Sequence, residues 1–274
     1  MTKPLRLRLN DGRHIPAIGL GIWQVPAVAT AATVSSALQM GYRLVDGAAI
    51  YGNEEGLGQG LRASGLPRDE VFVTTKIWNS AQGYDSTLAA LDESLGRLAM
   101  DRVDLCLIHW PCPAQGRFID TWRALIRARD DGRVTSIGVS NFLPEHLERL
   151  VDATGVVPAL NQIELNPRLQ QAELRALHDR MGIVPQSWTP LGQGASFDAA
   201  PIRNAALRSG RTPAQVILRW HAQLGCSALP RSIRPARQAE NLALCDFALT
   251  DAEMAAIATL DEGVRCGPDP AVFQ

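Results

Sequence analysis

The chain has 274 residues, 46% of them hydrophobic and 20% charged, with a formal net charge of −1. That length buries a large core, and α/β barrels of roughly 250 residues are single domains, so one domain over residues 1–274 suffices. Balanced charge without a basic stripe excludes a nucleic-acid or anionic-membrane footprint, and no apolar run approaches the ~18 residues of a membrane span.

The N-terminal MTKPLRLRLNDG alternates charge with Leu and does not read as a signal peptide. It predicts a strand, a turn at Asn10-Asp11-Gly12 and a second strand through Ile15. Eight short apolar runs follow: Ala17–Gly21, Arg43–Asp46, Val71–Thr75, Val103–Ile108, Ile137–Ser140, Leu160–Glu164, Val184–Trp188 and Ser227–Leu229. The segments between them read as helices. Leu88, Leu91, Leu95 and Leu98 share one helical face. Thr212-Pro213-Ala214-Gln215 is a capping box with Pro in the first helical position, and Thr250-Asp251-Ala252-Glu253 opens a final helix outside the repeat. This alternation predicts a (β/α)8 TIM barrel with an N-terminal β-hairpin and an extra C-terminal helix. A doubly wound Rossmann sheet is the runner-up, but Gly19-Leu20-Gly21 and Gly56-Leu57-Gly58 lack the third glycine, at Gln24 and Leu61.

The five cysteines form no CxxC and are odd in number, which points to a reduced, cytoplasmic setting. The five histidines form no HExxH and no zinc-spaced cluster, so no metal is expected.

In such barrels the reactive groups sit where strands end. Here those positions carry Asp46, with Tyr51 in the following loop, then Lys76, His109, Ser140 and Asn141, Gln162 and Trp188. Singly, each has an ordinary explanation: a cap, a half-buried ring, a solvated terminus or a satisfied buried histidine. Glu54 and Glu55 read as first-turn charges favoured by the helix dipole. Together, the first four make a proton-transfer set. A phenol of pKa ~10 is too weak an acid alone. A neighbouring Lys76 ammonium should pull that value down, and Asp46 should hold the lysine charged. The phenol then gives a proton to a developing alkoxide, general acid catalysis accounting for ~10²–10⁴ in rate. His109 can hydrogen-bond the same oxygen. With no nucleophile or metal among these groups, a nicotinamide hydride fits as the attacking species.

The segments DGAAIYGNE, TTKIWN, IHWP, IGVSNF, NQIELNP, SWTPLGQG and LPRSIRPARQAEN occur in this order along the chain. With them the chain resembles the aldo-keto reductases over essentially its whole length. It looks closest to their prokaryotic 2,5-diketo-D-gluconate reductase branch, in which Trp stands where others have Tyr in the segment here written QSWTPLG. The resemblance implies a tetrad of Asp46, Tyr51, Lys76 and His109. It implies that Ser140, Asn141 and Gln162 hold the nicotinamide carboxamide, that Trp188 stacks on its ring, and that Leu191 and the Gly-Gln-Gly loop lie along the pyrophosphate. Arg231, Ser232, Arg237, Glu240 and Asn241 match the adenosine end of an NADP(H) site. Independently, Arg231 and Arg237 offer forked donors, Ser232 a hydroxyl and Pro235 a helix start, a set suited to a ribose phosphate.

Arg231 departs from the family's usual Lys, and Gly47 from its Thr or Ser, which adds backbone freedom beside Tyr51. Trp23, Trp78 and Trp110 follow strand ends and suggest an aromatic-walled substrate pocket. The Gly/Pro-rich tail GVRCGPDPAVFQ is expected to cover it. The implied activity is NADPH-dependent reduction of aldehydes or ketones, keto-sugar acids or small dicarbonyls, by a cytoplasmic monomer with small-molecule substrates. The alternative is a non-catalytic nucleotide-binding barrel acting as a regulatory subunit, and the complete tetrad argues against it. A short-chain dehydrogenase is set aside, because no tyrosine has Lys four residues later.

Overall fold

The computed structural model describes residues 5–274. At its N-terminus β1 (Arg6–Arg8) and β2 (His14–Pro16) pair antiparallel with Leu7 opposite Ile15. The turn between them uses Gly12 at φ 86, a left-handed conformation that glycine adopts without steric cost. Leu9 and Ile15 are buried against Leu44, Leu105, Leu107, Leu160 and Leu229, so the hairpin closes the floor of the barrel.

Eight parallel strands follow in sheet order: β3 (Leu20–Gly21), β4 (Leu44–Asp46), β5 (Phe72–Ile77), β6 (Val103–Ile108), β7 (Val134–Ser140), β8 (Leu160–Glu164), β9 (Val184–Trp188) and β10 (Ser227–Ala228). The ring closes between its first and last members. Ile18 bridges Ala228 in parallel, Gly19 N donates to Ala228 O at 3.0 Å, and Ala228 N donates to Ala17 O at 2.8 Å. The strands are wrapped by α1 (Ala27–Met40), α2 (Glu54–Ala63), α3 (Tyr84–Leu98), α4 (Phe118–Asp130), α5 (Pro144–Thr154), α6 (Ala172–Met181), α7 (Ala200–Ser209), α8 (Pro213–Gln223), α9 (Pro235–Leu242) and α10 (Asp251–Ala258). The expected (β/α)8 barrel, N-terminal hairpin and extra C-terminal helix are all present. Among the described residues no helix is long and apolar enough to cross a membrane.

Both predicted capping boxes form. Gln215 N donates to Thr212 Oγ1 at 3.2 Å, and Glu253 N to Thr250 Oγ1 at 3.2 Å. Other boundaries differ from expectation. The first strand is confined to Leu20–Gly21, because Ala17 to Gly19 are occupied in closing the ring. The third runs from Phe72 to Ile77, not Val71 to Thr75, so Lys76 lies inside the strand. The fifth begins at Val134, because Ser136 is buried with its hydroxyl donating to Asp11 Oδ2 at 2.6 Å. Helix α7 is an insertion between β9 and α8 that no repeat unit requires.

Glycines of α2 have a packing role. A Cβ at Gly56 would lie 2.8 Å from Thr30 Cβ, and one at Gly60 2.6 Å from Ala31 O, so α2 approaches α1 at backbone distance.

Candidate active site

Three strand ends and the loop after β4 supply the first group of side chains. Asp46 ends β4 and is buried, and Lys76, one residue before the end of β5, is completely buried. His109 follows β6, its N–H donating to Ile77 O at 3.1 Å. Tyr51 comes from a 3-10 turn, Ala49–Tyr51, that ends on Gly52 at φ 65. Asn53 then pins this loop to the first βα loop, its Nδ2 donating to Ile22 O at 3.0 Å and Val25 O at 3.1 Å.

The Lys76 ammonium has three hydrogens and meets three acceptors: Asp46 Oδ2 at 2.6 Å, Gly47 O at 2.9 Å and Tyr51 Oη at 3.3 Å. An ammonium has no lone pair, so the phenol oxygen accepts and its own proton remains free to be donated. Burial lowers the Lys76 pKa, but Asp46 and then Tyr51 outweigh it, and the net shift is upward. His109 is pushed well below its ordinary value by burial and then by the Lys76 charge, so the ring stays neutral. It stands edge-on to the Tyr51 ring at 5.8 Å and to Trp78 at 5.0 Å.

For Tyr51 the sequence expectation requires correction. Lys76 does lower the phenol's pKa, but burial raises it by more and Asp46 adds to the rise, so the net direction is up. The phenol is held as an acid. Glu54 also differs from expectation. It is 2% exposed, accepts from Thr75 Oγ1 at 2.5 Å and pairs with Arg97 Nε at 2.8 Å, so it locks α2 to β5 and α3 and is no solvated first-turn charge. Nor is Gly47 needed for backbone freedom, since its φ lies outside the left-handed region. A Cβ there would sit 2.9 Å from Leu57 Cδ1, so a side chain at this position needs that leucine to shift.

A second group lies on the facing strands. Ser140 ends β7 and is register partner to Gln162 on β8. Asn141 adopts φ 64, which Asn tolerates better than most residues, and its amide is held from both ends. Nδ2 donates to His109 O at 3.0 Å and Ser140 Oγ at 3.1 Å, and Oδ1 accepts from Trp188 Nε1 at 2.8 Å. Gln162 Nε2 donates to Asp46 Oδ1 at 2.8 Å, joining this wall to the first group. Half-buried Leu191 precedes the Gly192–Gly194 turn, in which Gly192 and Gln193 both have positive φ.

The expected adenosine-end residues lie in the loop after β10 and in α9. Arg231 and Arg237 are exposed, and Arg231 Nη1 reaches Gln24 O at 3.5 Å across to the first βα loop. Ser232 accepts from Arg234 N at 3.1 Å. Glu240 accepts from Thr212 Oγ1 at 2.6 Å, so one of its oxygens serves the start of α8, while Asn241 is buried.

Of the three pocket tryptophans, Trp78 packs on His109, Trp23 is 54% exposed, and Trp110 is 7% exposed with its ring 4.5 Å from Phe273. Phe273 belongs to the C-terminal tail, which folds back as expected. Its anchor is Glu164, fully buried at the end of β8, which accepts from Cys266 N at 2.6 Å and Gly267 N at 3.1 Å. Gly267 lies against Trp188, where a Cβ would come within 2.5 Å of the ring. Glu164 is a site residue that the strand-end reading above did not include. Its position one side-chain period from Gln162 was the available signal.

The sequence pattern of the "Aldo/keto reductase family" matches residues 17–262. An aldo-keto reductase of Mycolicibacterium smegmatis is 52% identical over 268 residues, 98% of each chain. The methylglyoxal reductase DkgA of Yersinia pestis is 47% identical over 275 residues, 100% of this chain and 99% of the relative. Among solved structures, a mutant of Gox0644 in complex with NADPH superposes with a TM-score of 0.96 at 47% identity, covering 100% of both chains. The chain therefore belongs to the aldo/keto reductase family.

Proposed function

We propose that this protein reduces small aldehydes and ketones to alcohols with NADPH, with Tyr51 as the general acid. The observation that carries this reading is the buried tripod of Lys76 on Asp46, Gly47 O and Tyr51 Oη, which leaves the phenol a free proton backed by a permanent positive charge. The relative called methylglyoxal reductase supports small dicarbonyls among the substrates, and the NADPH complex of a structural neighbour supports the cofactor.

The residues present fit that cofactor. Both Nε2 hydrogens of Gln162 are committed within the protein, which leaves Oε1 as its remaining polar atom, an acceptor suited to a carboxamide N–H. Trp188 is half-buried and its Nε1 is bonded to Asn141, so the indole is oriented in advance for stacking. Exposed Arg231 and Arg237 supply cationic forks for a phosphate. Bound NADPH supplies the hydride.

The chain's own residues do the rest. Tyr51 donates its proton to the carbonyl oxygen as negative charge develops there, and Lys76 stabilises the phenolate left behind. Neutral His109 offers the same oxygen a second hydrogen bond and so orients the carbonyl. Asp46 keeps Lys76 charged. Trp78 and Trp110 form the substrate wall, with the tail anchored by Glu164 above it. We further read residues 1–274 as one domain acting as a cytoplasmic monomer, which sedimentation would test.

The test is NADPH absorbance loss over a panel that includes methylglyoxal, a keto-sugar acid and simple aldehydes. Tyr51→Phe should retain NADPH affinity and lose ~10²-fold or more in turnover. A Tyr51→Phe protein with the parent's turnover would remove the tyrosine from its role.

A further inference from the structure

The hydrogen bonds of Gln162 continue beyond the site. Its Nε2 donates to Gln186 Oε1 at 2.8 Å as well as to Asp46 Oδ1. Gln186 Nε2 donates to Ser227 Oγ at 3.2 Å, and Ser227 Oγ donates to the Pro16 carbonyl at 2.9 Å. All of these side chains are buried, Gln186 and Ser227 completely. Strand register makes Gln162 and Gln186 neighbours, and Gln186 and Ser227. A single polar chain thus runs from Asp46, across the barrel to β8, and along β9 and β10 to the end of the hairpin.

Both ends of this chain are groups that only accept. Ionised Asp46 has no hydrogen to give, and neither has the Pro16 carbonyl. Reading from Pro16, the Ser227 hydroxyl must spend its one hydrogen on that carbonyl. Its oxygen then takes an N–H from Gln186, which turns the Gln186 carbonyl toward Gln162. Reading from Asp46, the Gln162 NH2 must face the carboxylate. The two readings meet without conflict: the second hydrogen of Gln162 finds the Gln186 carbonyl. Reversing either amide would set donor against donor, or acceptor against acceptor, where no water can compensate.

We infer that Gln186 and Ser227 are positioning residues that, together with Asp46, hold the Gln162 amide in one orientation, so that its Oε1 is the atom offered to the carboxamide of the cofactor. This rests on the carbonyl-reductase reading. A nicotinamide carboxamide carries an NH2, and Gln162 with its own NH2 fully committed can only accept from it. The site is therefore selective for a donor at that position.

The 3-acetylpyridine analogue of NADPH keeps the ring, carbonyl and phosphates but has a methyl in place of the amide NH2. Calorimetric titration gives its dissociation constant and that of NADPH without turnover. The parent should prefer NADPH by about fivefold to tenfold, the range for one neutral hydrogen bond. Gln186→Met, which leaves Asp46 as the only partner of the Gln162 NH2 and frees the amide to rotate about that one bond, should bring that ratio below about threefold. Gln186→Glu, held neutral by complete burial, still presents a carbonyl oxygen to Gln162 and an O–H to Ser227, and should keep the parent's ratio. Ser227→Ala should lower it. Damage to the fold alone would weaken both ligands together and leave the ratio unmoved. A folded Gln186→Met protein with the parent's ratio would overturn the inference. If that variant does not fold, Ser227→Ala decides, and an unchanged ratio there overturns it equally. A parent ratio near one would refute the inference and leave the reductase reading standing. A parent that binds neither nucleotide would refute both.

Discussion

Replacing Lys76 by Met removes a charge from the most enclosed part of the site and keeps most of the stem. Lys76 is 0% exposed, and Asp46, 2.6 Å away, is 4% exposed. Deleting one member of a buried ion pair leaves the other uncompensated, at a cost of roughly 3–5 kcal/mol. Asp46 would keep its hydrogen bond from Gln162 Nε2, which favours the lower end of that range. The Gly47 carbonyl would lose its partner, adding about 1 kcal/mol. A loss of about 4 kcal/mol is therefore expected in urea unfolding. Adding Asp46→Asn to Lys76→Met removes the stranded charge and should restore all but about 1–2 kcal/mol. Activity should separate from stability. Both proteins should turn over ~10²-fold or more slowly, because neither has a cation to stabilise the phenolate. The reasoning fails if Lys76→Met unfolds within about 1 kcal/mol of the parent, or if the double variant is no more stable than the single one.

Three further outcomes are expected. Burial pushes His178 and His221 down to about 4, with Arg175 contributing to each. Their unfolded values are ~6.5, so between these limits the unfolded chain binds more protons and stability falls as pH drops, by up to about 3 kcal/mol per residue. Urea midpoints that stay level from about pH 7 to pH 4 would contradict this. Gly47→Ala should cost roughly 1 kcal/mol by crowding Leu57, and trimming Leu57 to Val in a double-mutant cycle should recover it in part. Additive effects would show that the crowding is not the cause. Arg237→Ala should weaken NADPH about tenfold while leaving NADH nearly unchanged, as expected for one lost charge-assisted bond to a phosphate. Equal losses for both nucleotides would place Arg237 elsewhere.

The parts of the fold legible in sequence were those governed by local pattern. β6, β8 and β9 begin and end where their apolar runs do, and α8 and α10 start at their capping boxes. What escaped depended on distant partners. Thr135 and Ser136 look polar enough to delay β7, yet Ser136 is buried because Asp11 in the hairpin accepts its hydroxyl. Glu54 looks like an ordinary first-turn acid until Thr75 and Arg97 arrive from other elements. The tetrad was legible for the opposite reason. Asp46, Lys76 and His109 mark the ends of neighbouring strands and Tyr51 the loop after the first of them, so parallel register brings them together with no further local information. The net direction of the Tyr51 shift was not legible, since it depends on how far burial outweighs one cation.

That balance bears on how the site works as a proton donor. Three pKa values around the mouth have moved so as to fix three protonation states: Lys76 upward and charged, His109 downward and neutral, Tyr51 upward and protonated. In the proposed reaction the carbonyl oxygen accordingly meets two neutral donors with one permanent cation behind them. A lowered phenol pKa would leave part of the enzyme as phenolate, unable to donate. A phenol raised by burial alone would leave an unstable anion after donation. Here Lys76 touches the oxygen that becomes the phenolate, so its stabilisation grows as the proton leaves. The alkoxide it protonates is a far stronger base than any phenolate, so the raised value does not stop the transfer. Burying the Lys76–Asp46 pair contributes little to stability as such, because desolvation offsets most of the attraction. What the burial supplies is a cation that cannot move away from the tyrosine or be screened by solvent.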